Sequence, residues 1–316
     1  MSAKQLVRLA AILGVLLVVW GAAALARRRE AAPPTDTFRL PRINRSEVDT
    51  VTITRPKDTT ILARKDTSTW TVNGHPASSN AVGDLLNALA DSTPPSSELV
   101  AEQKRSQPGL GVDDSAGSKV RIKGKGKTLA DLVLGKRSQD FSGGYVRRAG
   151  QESTYVVRGQ LIDVLNRAPD DWREHRIARI AADSIARIEI ARGHKSYALV
   201  RNGKSWKLAS GAPADSTRMG DLLTAYSSVD ATGFASSAQT DSAHFTQPDR
   251  RARLLRNNGT PVLTLLFDST AAGFWVRPDT SKTIYRIESW TADRLAPADT
   301  TLRLQHSTKS ESKPKS

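Results

Sequence analysis

The chain of 316 residues contains no cysteine, which removes disulfides, thiolate nucleophiles and cysteine-held zinc while remaining compatible with any compartment. Its five histidines, His75, His175, His194, His244 and His306, never fall at metal-ligand spacing, so no metal set is expected. Serines are common, but none lies in a G-x-S-x-G elbow. Gly126-Lys127-Thr128 has the end of a phosphate loop, yet Arg121 stands where that loop needs its first glycine. The segment also lies between two strand patterns, so it reads as a turn. Asp113-Asp114 and Asp170-Asp171 are sequence neighbours whose side chains point apart, unlike a paired acid and base. The sequence therefore predicts no enzyme, no cofactor and no catalytic residue.

Acidic side chains are also scarce, 32 against 47 Lys and Arg, for a net charge of +15. Such a balance suggests nucleic acid until it is localised. Residues 1–45 carry +6, 46–175 only +1, 176–300 carry +5 and 301–316 carry +3. Nine of the fifteen charges thus lie outside the central 255 residues. That is the pattern of a membrane-flanking segment and a basic tail, and no nucleic-acid partner is expected.

Leu6 to Ala26 is apolar except for Arg8. Its uncharged part, Leu9 to Ala26, is 18 residues, at the short end of a transmembrane helix. Trp20 lies toward one end, where an interfacial aromatic would sit. A cleavable signal peptide ending near Ala24-Leu25-Ala26 is the competing reading, but the run is long for a signal core, which favours a retained anchor. Orientation has two opposed signals. Arg27, Arg28 and Arg29 after the span favour a cytoplasmic body, whereas the short basic head of Lys4 and Arg8 is the ordinary start of an exported chain. The expected organisation is an anchor over 1–29, a proline-bearing linker over 30–45, repeat units over 46–175 and 176–300, and a disordered basic tail over 301–316.

The repeat is the strongest signal in the chain. At an offset of 137, Ile53-Thr54-Arg55 answers Ile190-Ala191-Arg192, Leu62-Ala63-Arg64 answers Leu199-Val200-Arg201, and Gly83-Asp84-Leu85-Leu86 answers Gly220-Asp221-Leu222-Leu223. Trp70 answers Trp206 after a one-residue gap. Further on the offset is 130: Tyr145-Val146-Arg147 meets Trp275-Val276-Arg277, Tyr155 meets Tyr285 and Leu165 meets Leu295. Recurrence at a fixed spacing implies a duplicated fold unit. What recurs is core and turn rather than chemistry.

Each copy opens with alternating strand patterns and a short strand at Trp70 or Trp206, with Asn202-Gly203 as a hairpin turn in the second copy. A helix follows over 79–90 and over 216–227, capped from Ser78 or Ser79 and from Asp215 or Ser216. Val82, Leu85, Leu86 and Leu89, like Met219, Leu222, Leu223 and Tyr226, give one apolar stripe. Gly83 and Gly220 inside these helices suggest close packing. Two further strand pairs and a short closing helix complete each copy. Hairpins alternating with helices predict an α+β class with antiparallel sheets, as two tandem duplicated units with a packed helix, after one N-terminal transmembrane helix.

Lys119, Arg121, Lys123, Lys125 and Lys127 alternate with Val120, Ile122, Gly124 and Gly126. On one strand all five would share a face and could contact an anionic partner; they could equally be a solvated face or a guard against edge pairing. No aromatic interleaves, as single-stranded nucleic acid would require. Trp70 and Trp206 fit core positions better than ligand platforms.

The order of Val48-Asp49-Thr50-Val51-Thr52-Ile53, Trp70, Pro76 before a Leu-Leu helix, Gly109-Leu110-Gly111-Val112-Asp113, Leu134-Gly135-Lys136, Tyr145-Val146-Arg147 and Tyr155-Val156-Val157 resembles the bacterial domain-of-unknown-function family 4340 over roughly residues 46–300. The second copy departs in the Gly-Leu region, where Phe245-Thr246-Gln247-Pro248 stands. The resemblance implies a membrane-anchored protein, in some members beside ABC-type transport and gliding-motility auxiliary proteins, and supplies no catalytic residue. The expected function is a non-catalytic accessory or scaffold of an ABC-type transport complex, single-pass in the cell inner membrane with a periplasmic body. The alternative is a binding module for an anionic cell-envelope polymer or lipid.

Overall fold

The computed structural model describes Phe38, residues 43–90 and residues 97–304. The expected anchor, most of the linker and most of the tail lie outside these residues. Among the described residues no helix is long and apolar enough to cross a membrane. The chain divides into two compact units, one running to Arg64 and resuming over Gly83–Arg167, the other made of Lys65–Val82 and the chain from Ala168.

In chain order the first elements are β1 (Thr50–Thr54), β2 (Thr59–Arg64), β3 (Trp70–Val72), β4 (His75–Pro76), α1 (Ser79–Ala90), β5 (Ser97–Ala101), α2 (Gln107–Leu110), β6 (Ser118–Gly124), β7 (Lys127–Arg137), β8 (Gly143–Arg148), β9 (Thr154–Arg158) and α3 (Gln160–Leu165). The strands form one sheet in the order β4-β3-β2-β1-β6-β7-β8-β9-β5. Alternation sets its two faces. Val51 and Ile53 of β1 pair with Ile122 and Val120 of β6, and all four are fully buried. Thr50, Thr52 and Thr54, opposite Lys123, Arg121 and Lys119, turn to the other face. In α1 the stripe Val82, Leu85 and Leu89 is buried as its spacing requires, and the Ala81 N–H donates to the Ser78 hydroxyl at 3.4 Å as an N-cap.

The chain continues through β10 (Arg176–Ala178), β11 (Arg187–Arg192), β12 (Lys195–Asn202), β13 (Ser205–Leu208), α4 (Ser216–Ser227), β14 (Val229–Asp230), β15 (Gly233–Phe234), α5 (Ser237–Ser242), β16 (Arg250–Leu255), β17 (Pro261–Thr270), β18 (Gly273–Pro278), β19 (Tyr285–Ile287), α6 (Ser289–Leu295) and α7 (Asp299–Leu302). The second sheet runs β13-β12-β11-β16-β17-β18-β19-β15, while β10 and β14 form a separate pair. Its core joins Ile188, Ile190, Leu199, Leu254, Leu265 and Phe267 of the strands to Met219, Leu222 and Tyr226 of α4 and to Leu295 of α6. Asp215 caps α4 by accepting from the Arg218 N–H at 3.0 Å. The Tyr226 hydroxyl, wholly buried, donates to the Leu295 carbonyl, and burial pushes its pKa upward.

The protein is therefore α+β and rich in antiparallel sheet. Strand succession is the same in both sheets: each begins with a meander read backwards, crosses to a four-strand meander and ends on a strand that precedes that meander in sequence. Helices α1 and α4 fall on the residues expected of them. Trp70 and Trp206 are 7% and 8% exposed, at core positions. Two expectations fail. A Cβ built on Gly83 or Gly220 meets nothing within 4 Å, so neither glycine serves close packing. The five-residue basic stripe also does not lie on one strand. Lys125 and Gly126, with φ of 50° and 75°, form the two-residue turn of the β6–β7 hairpin, and Lys127 opens β7. Of Gly126-Lys127-Thr128 only Gly126 lies in the turn; Lys127 and Thr128 open β7, with no helix following as a phosphate loop would need.

Candidate anion-binding site

Strand β6 is interior to its sheet, hydrogen-bonded to β1 on one side and β7 on the other. Its lysines therefore do not guard an edge. Lys119, Arg121 and Lys123 remain on the face away from the core, and all five stripe residues are exposed. Lys125 is displaced into the turn, its backbone N–H donating to Asp49 Oδ2 at 2.8 Å. Three of the five side chains are thus brought together by register, and two are set at the hairpin tip.

Register also decides what each cation meets. Arg121 sits directly opposite Asp131 of β7 and donates through Nε and Nη2 to its Oδ2 at 2.9 and 2.7 Å. Lys119 faces Val133, and Lys123 faces Thr128. Neither Lys119 nor Lys123 has an ion pair among the described residues. Long basic side chains of β6 beside Thr52 and Thr54 of β1 leave a concavity of about 390 Å³, lined also by Asp114, Asp131, Val133 and Ala149. A space of this size with a few converging polar groups is at the small end of ligand sites. It can hold an anionic group against two free ammonium groups and a guanidinium already oriented by its carboxylate.

The β7–β8 side of this face is covered, which gives the concavity one wall, while Ile61 on the β2 side stays open to solvent. Residues 109–117 lie over β7 and β8. Gly135 permits the approach: a Cβ there would stand 2.4 Å from the Leu110 carbonyl oxygen. Arg147, 3% exposed, donates through Nε to the Val112 carbonyl at 2.6 Å and pairs with Asp114 through Nη2. In the second sheet the matching strand position is Arg277, opposite Leu266 as Arg147 is opposite Val133. Its guanidinium lies 4.7 Å from the ring centroid of Phe245, which packs with Trp275 and Ile284. Each sheet thus has an arginine that holds the segment lying over it, through a carbonyl in the first and an aromatic ring in the second.

The remaining candidates disperse. Asp113 accepts from the backbone of Ser115 and Ala116, whereas Asp114 turns to Arg147. Asp171 caps Ala168, and Asp170 pairs with Arg173. The Arg173 guanidinium sits 3.5 Å from the Phe234 ring centroid. Beside it the His75 pKa is lowered, by burial first and by the Arg173 charge second. Both ring nitrogens of His175 lie 3.1 Å from carbonyl oxygens, those of Ala231 and Asp170. Among the described residues no group of His, Asp or Glu could hold a metal ion.

The sequence reading missed two residues. Arg251 and Arg253 of β16 occupy the register positions of Lys119 and Arg121: Arg251 is opposite Ala191 as Lys119 is opposite Thr54, and Arg253 is opposite Glu189 as Arg121 is opposite Thr52. The signal was present as Lys119-Val120-Arg121-Ile122 against Arg251-Ala252-Arg253-Leu254, at an offset of 132 that lies between the two offsets already noted. Chemistry recurs here as well as core.

Compared with known proteins, residues 70–250 match the model of a family described as Domain of unknown function (DUF4340). No curated protein matches the chain, and no solved structure does.

Proposed function

The chain belongs to the DUF4340 family, and from that membership and the basic open face of the first sheet we propose a non-catalytic binding role, in which Lys119, Arg121 and Lys123 hold an anionic cell-envelope polymer or lipid. The observation that carries this reading is the 390 Å³ concavity with two unpaired lysines on its wall. Register on an interior strand fixes where these cations leave the sheet, so only their side chains have to turn toward an anion. Lys125 and Lys127, at the hairpin tip, extend the positive region without forming the concavity.

The wider role is that of an accessory or scaffold anchored in the inner membrane with its body in the periplasm, beside ABC-type transport subunits. This part rests on the family resemblance and on the apolar run from Leu6 to Ala26. An internal duplication explains the shared strand succession of the two sheets and the recurring residues.

The test is the double variant Lys119→Glu with Lys123→Glu in the full-length chain. Binding to phosphatidylglycerol vesicles or to an anionic envelope polymer at low salt should fall at least about tenfold, the scale of one or two lost charge-assisted contacts. An unchanged affinity in a variant that melts like the parent would remove the anionic reading. Copurification of the parent with a permease or ATPase would support the scaffold role, and loss of that assembly in the double variant would tie it to this face.

A further inference from the structure

We propose that the second sheet carries a separate binding site, built on Arg251 and Arg253, for the phosphate groups of an anionic polymer. The inference rests on the reading above in one respect, that the outward sheet face is the working surface, and it names both a new site and a ligand chemistry.

The site is larger than its counterpart. A concavity of about 680 Å³ is lined by Arg187, Glu189, Ala191, Ala198, Arg251 and Arg253, with Thr264, Leu266 and Asp279 beyond. Its shape follows from register. Ala191 of β11 is flanked by Ser196 of β12 and Arg251 of β16, and Glu189 by Ala198 and Arg253. The short side chains of Ala191, Ser196 and Ala198 beside the long ones of Glu189, Arg251 and Arg253 leave a trough along the strands.

Its charge is arranged for discrete anions. Arg251 is exposed and has no ion pair among the described residues. Glu189 is shared, accepting from Arg187 Nε at 2.8 Å and lying 3.6 Å from Arg253 Nη1. A guanidinium carries five N–H donors, so both shared arginines keep donors for a ligand. Arginine rather than lysine at these positions suits bidentate contact with phosphate oxygens. Arg251 and Arg253 are two residues apart on one strand, a spacing of roughly 7 Å, so successive groups of one polymer can be met in turn.

Two observations separate a polymer from the alternatives. Glu189 and Asp279 interrupt the positive lining; a continuous anionic lipid surface would press headgroups against both carboxylates, whereas spaced phosphates can sit between them. Tyr197 is the one aromatic residue in the lining, and its hydroxyl donates to the Pro297 carbonyl at 2.7 Å. Tyr197 is also paired with buried Ile190 and packed against the core, so its ring is not offered to a nucleobase.

The experiment is calorimetric titration of the full-length chain with inorganic tripolyphosphate at low salt, with phosphatidylglycerol vesicles as a second arm. The parent should bind two equivalents of tripolyphosphate. Arg251→Glu with Arg253→Glu should weaken one of them roughly ten- to a hundredfold, and Lys119→Glu with Lys123→Glu should weaken the other. Arg251→Gln with Arg253→Gln keeps side-chain length, removes charge and carries the test if the glutamate pair does not fold. Unchanged tripolyphosphate binding in both arginine variants overturns the second site, even where the lysine variant loses its equivalent. Loss confined to the arginine variants upholds the second site and removes the first-sheet reading instead. Binding to vesicles without binding to tripolyphosphate overturns the polymer assignment.

Discussion

Arg147 donates its Nε hydrogen to the carbonyl oxygen of Val112 at 2.6 Å, tying a surface loop to the sheet beneath it. The guanidinium is almost wholly removed from water, at 3% residue exposure, and Asp114 takes its outer edge. Replacing it by methionine would keep most of the packing and leave the Val112 carbonyl without its donor. Arg147→Met should therefore cost about 1–3 kcal/mol, lowering the melting temperature by several degrees. Arg277→Met should cost less, because Arg277 Nε is buried with no hydrogen-bond partner among the described residues and the ring contact with Phe245 is partly kept by a thioether. Thermal denaturation of the two variants side by side decides it; equal losses would show that the two arginines do the same work.

Glycine inside α1 and α4 serves no contact. Gly83 and Gly220 have open space where a Cβ would stand and no positive φ. Gly83→Ala and Gly220→Ala should each stabilise the protein by about 0.5–1 kcal/mol through helix propensity. Denaturant titration gives the measurement, and a destabilised alanine variant would overturn the reading that open space lies beside these glycines.

Acid should weaken the second unit through Asp249. Its carboxylate accepts from the Ser269 hydroxyl and from the Ser269 N–H, at 2.5 and 2.7 Å, and these bonds hold its pKa below the ordinary carboxylate value. A depressed carboxyl pKa contributes stability that is present above about pH 4, the unfolded value, and is lost as pH falls toward the folded value. Asp249→Asn should thus be less stable than the parent near neutrality and lose less of its melting temperature between about pH 5 and about pH 3. Parallel acid limbs for the two proteins would refute the assignment.

Two basic clusters flank the apolar run, Arg27, Arg28 and Arg29 after it and Lys4 and Arg8 before it. Large domains translocate largely regardless of charges beside a span. An alkaline phosphatase fused to the carboxy terminus should be active, and protease added to spheroplasts should remove the body while leaving a membrane-bound fragment. A protected body, or one released whole to the soluble fraction, would contradict a retained anchor with an external body.

The legible parts of this protein are those where one residue type repeats with the period of its element. The apolar stripe of α1 and the alternation of β6 read directly from sequence. Strand β5 did not, because every residue of Ser97–Ala101 is exposed or half-buried and no apolar period survives at that sheet edge. Helix α5 was equally hidden: Ser237–Ser242 is polar, and its cap, Ser236 with Gln239, carries the only local signal. The concavities were invisible because they arise between strands. Thr54 with Lys119, and Ala191 with Arg251, are neighbours only through pairing, and a list of motifs along the chain does not contain them.

In both sheets the central seam joins strands far apart in the chain, Val51 to Ile122 in one and Ile188 to Leu254 in the other. The meanders on either side are made of successive hairpins and can form locally, but each seam must first close a long loop, from Thr54 to Lys119 in one sheet and from Arg192 to Arg250 in the other. Contacts of such separation come late and slow folding. The basic rungs of β6 and β16 acquire their β1 and β11 neighbours only at that step, so neither trough exists in a half-folded chain. Newly made protein would be unable to engage an anionic partner until folding is nearly complete, and pulse-labelled hydrogen exchange should find the seam-facing amides of β1, β6, β11 and β16 protected last, after those of β1 and β11 that face β2 and β12.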